Sequence, residues 1–154
     1  MNSAPTSEQL LEQIADAFPG AGDAFSDASI EASQDPAALE GLPSFHVAMP
    51  AYMAWCVRNA HRPETLIHDH TVRALCELGR SKNPEIKHLN FKFHCSPQQI
   101  AAVVGFLRWC LNPALLHHSE HIKRSLKQWS VVTQNAAEPL QSSGRRRQAG
   151  ACRS

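Results

Sequence analysis

The feature that most narrows the fold is the stretch SPQQIAAVVGFLRWCL at residues 96–111. It opens as a capping box, with Ser96 at the cap, Pro97 first in the helix and Gln99 third, so serine and glutamine side chains meet each other's orphan amides. Ile100, Val103, Val104, Leu107 and Leu111 then recur at helical spacing. The opposite side carries Ala102, Phe106 and Trp109, and the only charge is Arg108. A surface helix needs one apolar stripe; a helix apolar nearly all round has to be covered by neighbours. The spacing predicts a central buried helix over 97–111, which the remaining chain must surround. Gly105 lies inside it, where glycine costs about 1 kcal/mol relative to alanine. It is expected to let a neighbour approach closely, namely the helix bearing Tyr52.

The neighbours can be read from the same periodicity. Leu10, Leu11, Ile14 and Phe18 mark a first helix, capped by Thr6 or Ser7 and ended by Pro19-Gly20. Residues 21–41 hold few and small apolar side chains, so a loop with a short helix is expected there, anchored by Phe25, Ile30 and Leu39. Pro43 can open a second segment, which Pro50 should kink or restart. Beyond Pro50, Tyr52, Met53, Cys56, Val57 and Ala60 share a face, with Trp55 and Arg58 off it. Pro63 is placed to start another helix, with Ile67, Thr71, Ala74, Leu75 and Leu78 on one side and Gly79 near its end. Residues 81–95 read as a connection, in which Leu89, Phe91 and Phe93 alternate as a short extended piece would. Asn112-Pro113 leads into a last helix, with Leu115, Ile122, Leu126 and Trp129 inward and Lys123, Arg124, Lys127 and Gln128 outward.

The fold class that follows is all-α, a small irregular bundle of about five helices around helix 97–111. At 43% apolar residues, 154 residues can bury a core as one domain. The expected layout is a flexible lead-in over 1–6, one helical domain over 7–133 containing the loop-rich acidic segment 21–41, and a disordered basic tail over 134–154. Residues 1–18 lack the basic-then-apolar pattern of a signal peptide, and the most apolar run, 100–111, is too short to span a bilayer. Five cysteines without a CxxC pair suit reduced thiols packed as small hydrophobes. A soluble, cytoplasmic protein with no membrane association is expected.

Two segments resemble a known family. Met49-Pro50-Ala51-Tyr52-Met53 is similar to the LPAYL helix of an uncharacterised bacterial helical family, a domain of unknown function, with methionine in place of its leucine. Residues 95–109, CSPQQIAAVVGFLRW, resemble that family's F-[ST]-P-E-Q…FLR helix, and Leu126…Trp129 resembles its last helix. The resemblance spans roughly residues 42–129. It implies a helical fold and carries over no functional residue.

Charge is divided along the chain. Residues 1–57 hold eight acids and no lysine or arginine; residues 58–154 hold six acids and all fifteen bases. Either the two parts neutralise one another within the fold, or the acidic segment is free for a basic partner.

The residues that could carry chemistry are few. His117 and His121 are four apart and share a helix face, as chelating pairs do. Yet no glutamate follows His117, Lys123 and Arg124 stand close by, and no third ligand is fixed. His68 and His70 would point about 200° apart on a helix. Cys95, beside His94 at a helix start, could be an activated thiolate, or could pack on Ile100 as a hydrophobic staple. Nucleotide-binding glycine loops are absent. Arg145, Arg146 and Arg147 could touch phosphates from the tail.

A good core signal without a convergent polar site favours a non-enzymatic helical module that binds another protein, with no catalytic residue and no cofactor. The rivals are a metal-binding protein or metal-dependent hydrolase using His117 and His121, and nucleic-acid binding by the tail.

Overall fold

The capping box written into residues 96–99 forms as expected. Ser96 Oγ accepts from Gln99 N at 3.1 Å, and Gln99 Oε1 accepts from Ser96 N at 2.9 Å. In the computed structural model, residues 3–20, 25–38, 45–62, 65–115 and 119–137 are described, and every regular element among them is helical. Seven α-helices occur among those residues: α1 (Ser7–Ala17), α2 (Asp27–Ala32), α3 (Phe45–Arg58), α4 (Ile67–Arg80), α5 (Phe91–His94), α6 (Pro97–Trp109) and α7 (Ser119–Ala137). Five are long. Their main contacts close a cycle, α1 to α6, α6 to α7, α7 to α4, α4 to α3 and α3 back to α1, with the core inside.

Helix α6 is buried as its pattern demands: Ala102, Val103, Phe106 and Leu107 are fully covered. Its partner on one side is α1, which runs antiparallel to it. Trp109 Nε1 donates to Ser7 Oγ at the start of α1, and Gln99 Nε2 donates to the Ala17 carbonyl at its end. The close neighbour of Gly105 is therefore α1, through Leu10 and Gln13, and not the helix bearing Tyr52.

Four further expectations need correction. Pro50 does not restart α3, which runs unbroken through it. One turn into a helix, proline forgoes a single intrahelical bond, and here burial of its ring offsets that loss. Trp55, off the face that Tyr52 and Cys56 share, is buried all the same, because every residue from Ala48 to Val57 is buried. Helix α3 is also contacted by α2 and by the 3₁₀ turn Pro36–Ala38.

Helix α4 begins at Ile67, and residues 63–64 lie outside the described ones. No side chain of its own caps it; the Leu66 amide donates instead to Gln34 Oε1, 3.2 Å away. Finally, the alternation of Leu89, Phe91 and Phe93 reflects a 3₁₀ turn, Lys87–Leu89, running into α5 and not an extended piece. Residues two apart on a helix also face opposite ways, so Phe91 is buried between Phe18 and Trp129 while Phe93 is exposed.

The loop-rich segment behaves as its anchors suggest. Ile30 on α2 is buried and Phe25 meets the Tyr52 ring edge-on; Leu39 is outside the described residues. Asp27 pairs with Arg58 at 2.7 Å and Glu31 with Arg62 at 2.5 Å. Tyr52 Oη donates to the Ser33 carbonyl. This part of the acidic segment thus docks on the same molecule. At the other end α7 continues to Ala137, past the expected boundary at 133, and residues 138–154 lie outside the described ones.

Candidate functional site

The residues that invited chemistry are engaged in structure. His68 Nε2 donates to the Cys56 carbonyl at 3.1 Å, and its ring meets Trp55 edge-on. Burial holds its pKa below the ordinary value, against smaller opposing effects of that hydrogen bond and of Asp69. His70 Nδ1 donates to the Gln34 carbonyl at 3.2 Å, so the two rings are anchored on different segments. His121 is exposed on α7, where its backbone carbonyl faces the Cys76 thiol; His117 lies outside the described residues. Among the described residues no three histidine, cysteine or acidic side chains gather as a metal-binding set.

The thiols are the reverse of activated. Burial pushes Cys95 up to about 12, so its place before the α6 cap produces a packed side chain and not a nucleophile. Cys56 is likewise pushed up to about 12 by burial, partly opposed by the Thr71 hydroxyl. Burial also raises Cys76 and, further, Cys110. Lys92 is almost wholly covered, with Nζ donating to the Gly79 carbonyl at 2.6 Å. A cation on the last carbonyls of a helix complements its dipole, so Lys92 acts as a cap for α4. Burial first, then Lys82, lowers its pKa.

What the fold leaves open is a cleft on the outside of α6. Its floor is Ala101, Val104, Gly105 and Arg108, four residues at i, i+3, i+4 and i+7 on one helix face. Pro5, just before α1, and Gln13 on it form one wall and Ser130 on α7 the other, bordering about 430 Å³. A second cleft of about 600 Å³ continues past Arg108 toward Trp109, Pro113 and Leu126. Ser130 lines the first cleft with residues 101–108 and Leu126 the second with residues 108–113, so α7 runs antiparallel to α6 and parallel to α1. The cleft is thus a groove between two parallel helices. Arg108 lies where its two parts meet, half-buried, and its guanidinium makes no hydrogen bond or ion pair with a described residue.

Arg108 stands out in the sequence as the single charge on an apolar helix, whereas the groove does not. The available signal was the pairing of that charge with the two smallest residues of the helix face, Ala101 and Gly105. The chain matches no family model, no curated protein and no solved structure in comparisons with each. No helix among the described residues is long and apolar enough to cross a membrane.

Proposed function

We propose that this chain is a non-enzymatic helical module that binds another protein through the open face of α6. The observation that carries this reading is the contrast on that helix. Its other faces are packed, while Ala101, Val104, Gly105 and Arg108 line a groove. The absence of thiol activation adds support, since burial raises the pKa of all four described cysteines. The proposed kinship with the bacterial helical family rests on residues 49–53 and 95–109, which are mainly core segments and so speak for fold.

The test is quantitative capture from the native cell with wild-type and Ala101→Trp protein as paired baits. Ala101 is exposed, so tryptophan there fills the groove without entering the core. One protein retained near stoichiometrically by wild type and lost with the variant is expected. Stoichiometric zinc or iron in protein purified without a histidine tag would overturn the reading in favour of a site at His117 and His121.

A further inference from the structure

The segment that carries α2 is fastened to the first turn of α4 by one residue. Gln34 Oε1 accepts from the Leu66 amide and the Gln34 carbonyl from His70 Nδ1, each at 3.2 Å. His68 lies between those two contacts, as the second residue of a helix with no side-chain cap of its own. Its ring reaches the other way, into the last turn of α3, where Nε2 donates to the Cys56 carbonyl and the ring meets Trp55 edge-on. Trp55 also carries Arg62, whose guanidinium carbon stands 5.5 Å from the ring centroid and which pairs with Glu31 of α2. The α2 segment, the end of α3 and the start of α4 thus meet at one joint, and His68 is at its centre.

That place suits a neutral imidazole better than a cation. Half-burial strips a charge of water, the first turn of a helix presents the positive end of its dipole, and Arg62 already brings a cation to the same indole. The Cys56 carbonyl and Asp69 act in the opposite sense, but burial outweighs them and holds the pKa below its ordinary value. The other charged or titratable groups on the elements meeting here are Arg58 with its partner Asp27, Glu31 on Arg62, Asp35 beside Gln34, and His61 and His70. The Cys56 thiol and the Tyr52 phenol, both pushed up to about 12 by burial, stay neutral through the range that matters.

We infer that His68 is the trigger of an acid-released latch: taking up a proton draws its ring off Trp55 into water, frays the first turn of α4 and frees the α2 segment at Gln34. The direction follows from which state binds the proton. Above about pH 6.5, the ordinary histidine value, the ring is neutral whether the segment is docked or released, and docking is at full strength. Between there and the lower docked value, the released state takes a proton that the docked state refuses, so docking weakens by up to about tenfold per pH unit. Below the docked value the loss is complete. Release uncovers the α3 face at Tyr52, whose ring the segment meets through Phe25 and whose phenol it holds through the Ser33 carbonyl.

Amide exchange of the full chain between pH 7.5 and 5.5 tests this, with each rate compared to that of the same amide unstructured at the same pH. Residues 30–33 should lose about threefold or more in protection across that range, while residues 100–109 keep theirs. The midpoint should coincide with that of the His68 imidazole, followed by nuclear magnetic resonance, and both should lie below the ordinary histidine value. His68→Gln keeps a side-chain donor for the Cys56 carbonyl and takes up no proton, so its α2 segment should stay protected down to pH 5.5. A His68→Gln chain that responds as wild type does would place the acid response in another group and overturn the latch. So would a His68 titration that leaves residues 30–33 unmoved, or a midpoint that follows the His70 imidazole instead. If circular dichroism shows His68→Gln to be unfolded, the agreement or disagreement of the two midpoints in wild type decides.

Discussion

Two helix contacts in this molecule pass over a glycine, and they are built oppositely. At Gly79 on α4, the facing group is the Trp129 indole of α7. A Cβ there would fall 2.6 Å from Nε1 and 2.8 Å from Cδ1. That ring is fully buried, donates to the Leu75 carbonyl at 3.0 Å and packs edge-on against Phe91. At Gly105 on α6, the nearest atom is Oε1 of Gln13, 2.8 Å from the same hypothetical Cβ. Gln13 is a flexible side chain at the edge of a cleft into which it can swing. One contact is rigid because the facing indole is buried and hydrogen-bonded in place; the other is adjustable because it borders open space. Binding surfaces are drawn from the second kind.

The largest effect that distinguishes them is Gly79→Ala. Overpacking a filled core costs about 1–3 kcal/mol, and displacing the indole endangers a buried hydrogen bond of about 1 kcal/mol more. Alanine's better helix propensity returns about 1 kcal/mol. A net loss of about 1–3 kcal/mol is expected in chemical denaturation, with a drop of several degrees in Tm. Unchanged stability would mean that Trp129 can move, and the comparison would collapse.

Next in size is Tyr52→Phe. It removes the phenol that donates to the Ser33 carbonyl, tying the segment after α2 to α3. Burial and nearby Asp35 hold that phenol's pKa up at about 12, so it stays a donor throughout the neutral range. A loss of about 1 kcal/mol is expected, together with faster amide exchange in residues 27–33 and little change in α6. Equal change in both would show the segment to be part of the core.

Gly105→Ala should run the other way. The Gln13 amide can rotate aside, and the helix-propensity gain of up to about 1 kcal/mol then dominates. Stability equal to or slightly above wild type is expected in the same denaturation assay. A loss comparable with that of Gly79→Ala would make the α1 contact rigid and remove the distinction.

These two glycines also show what the sequence could convey. Both are visible as glycines inside helical patterns, and the cost of glycine there announces a close approach. Which helix approaches is a matter of topology, which periodicity does not encode, and so Gly105 pointed to the wrong partner. Helix α6 was legible almost to the residue because caps and apolar spacing are local. Helix α3 was harder, since a run buried on every side has no polar face to set its phase. The start of α4 depends on Gln34, 32 positions earlier in the chain, and no local signal could place it. The groove was invisible for the same reason: it exists only once α1 and α7 lie on either side of Arg108.

The smallest expected effect concerns the divided charge, and it separates α1 from α2. Both belong to the acidic part of the chain, yet they are held differently. On α1 the acids Glu8, Glu12 and Asp16 are exposed, while Leu10, Ile14 and Ala17 are buried, and polar ties to α6 run through Ser7 and Ala17. On α2 one buried residue, Ile30, is joined by the pairs Asp27–Arg58 and Glu31–Arg62, with the carboxylates and guanidiniums substantially exposed. Exposed pairs contribute a few tenths to about 1 kcal/mol each and weaken as salt shortens the screening length from about 10 Å toward 3 Å. Apolar burial lacks that sensitivity. Hydrogen exchange at 0.05 M and 1 M sodium chloride should therefore show residues 27–33 losing protection by up to a few fold, with residues 10–18 and 100–109 unmoved. Neutralising the pairs, as Asp27→Asn with Glu31→Gln, should abolish that salt response and leave α1 as it was. Had charge docked the whole acidic part, α1 would respond with α2; a salt response in residues 10–18 would restore that view and remove the apolar account of α1.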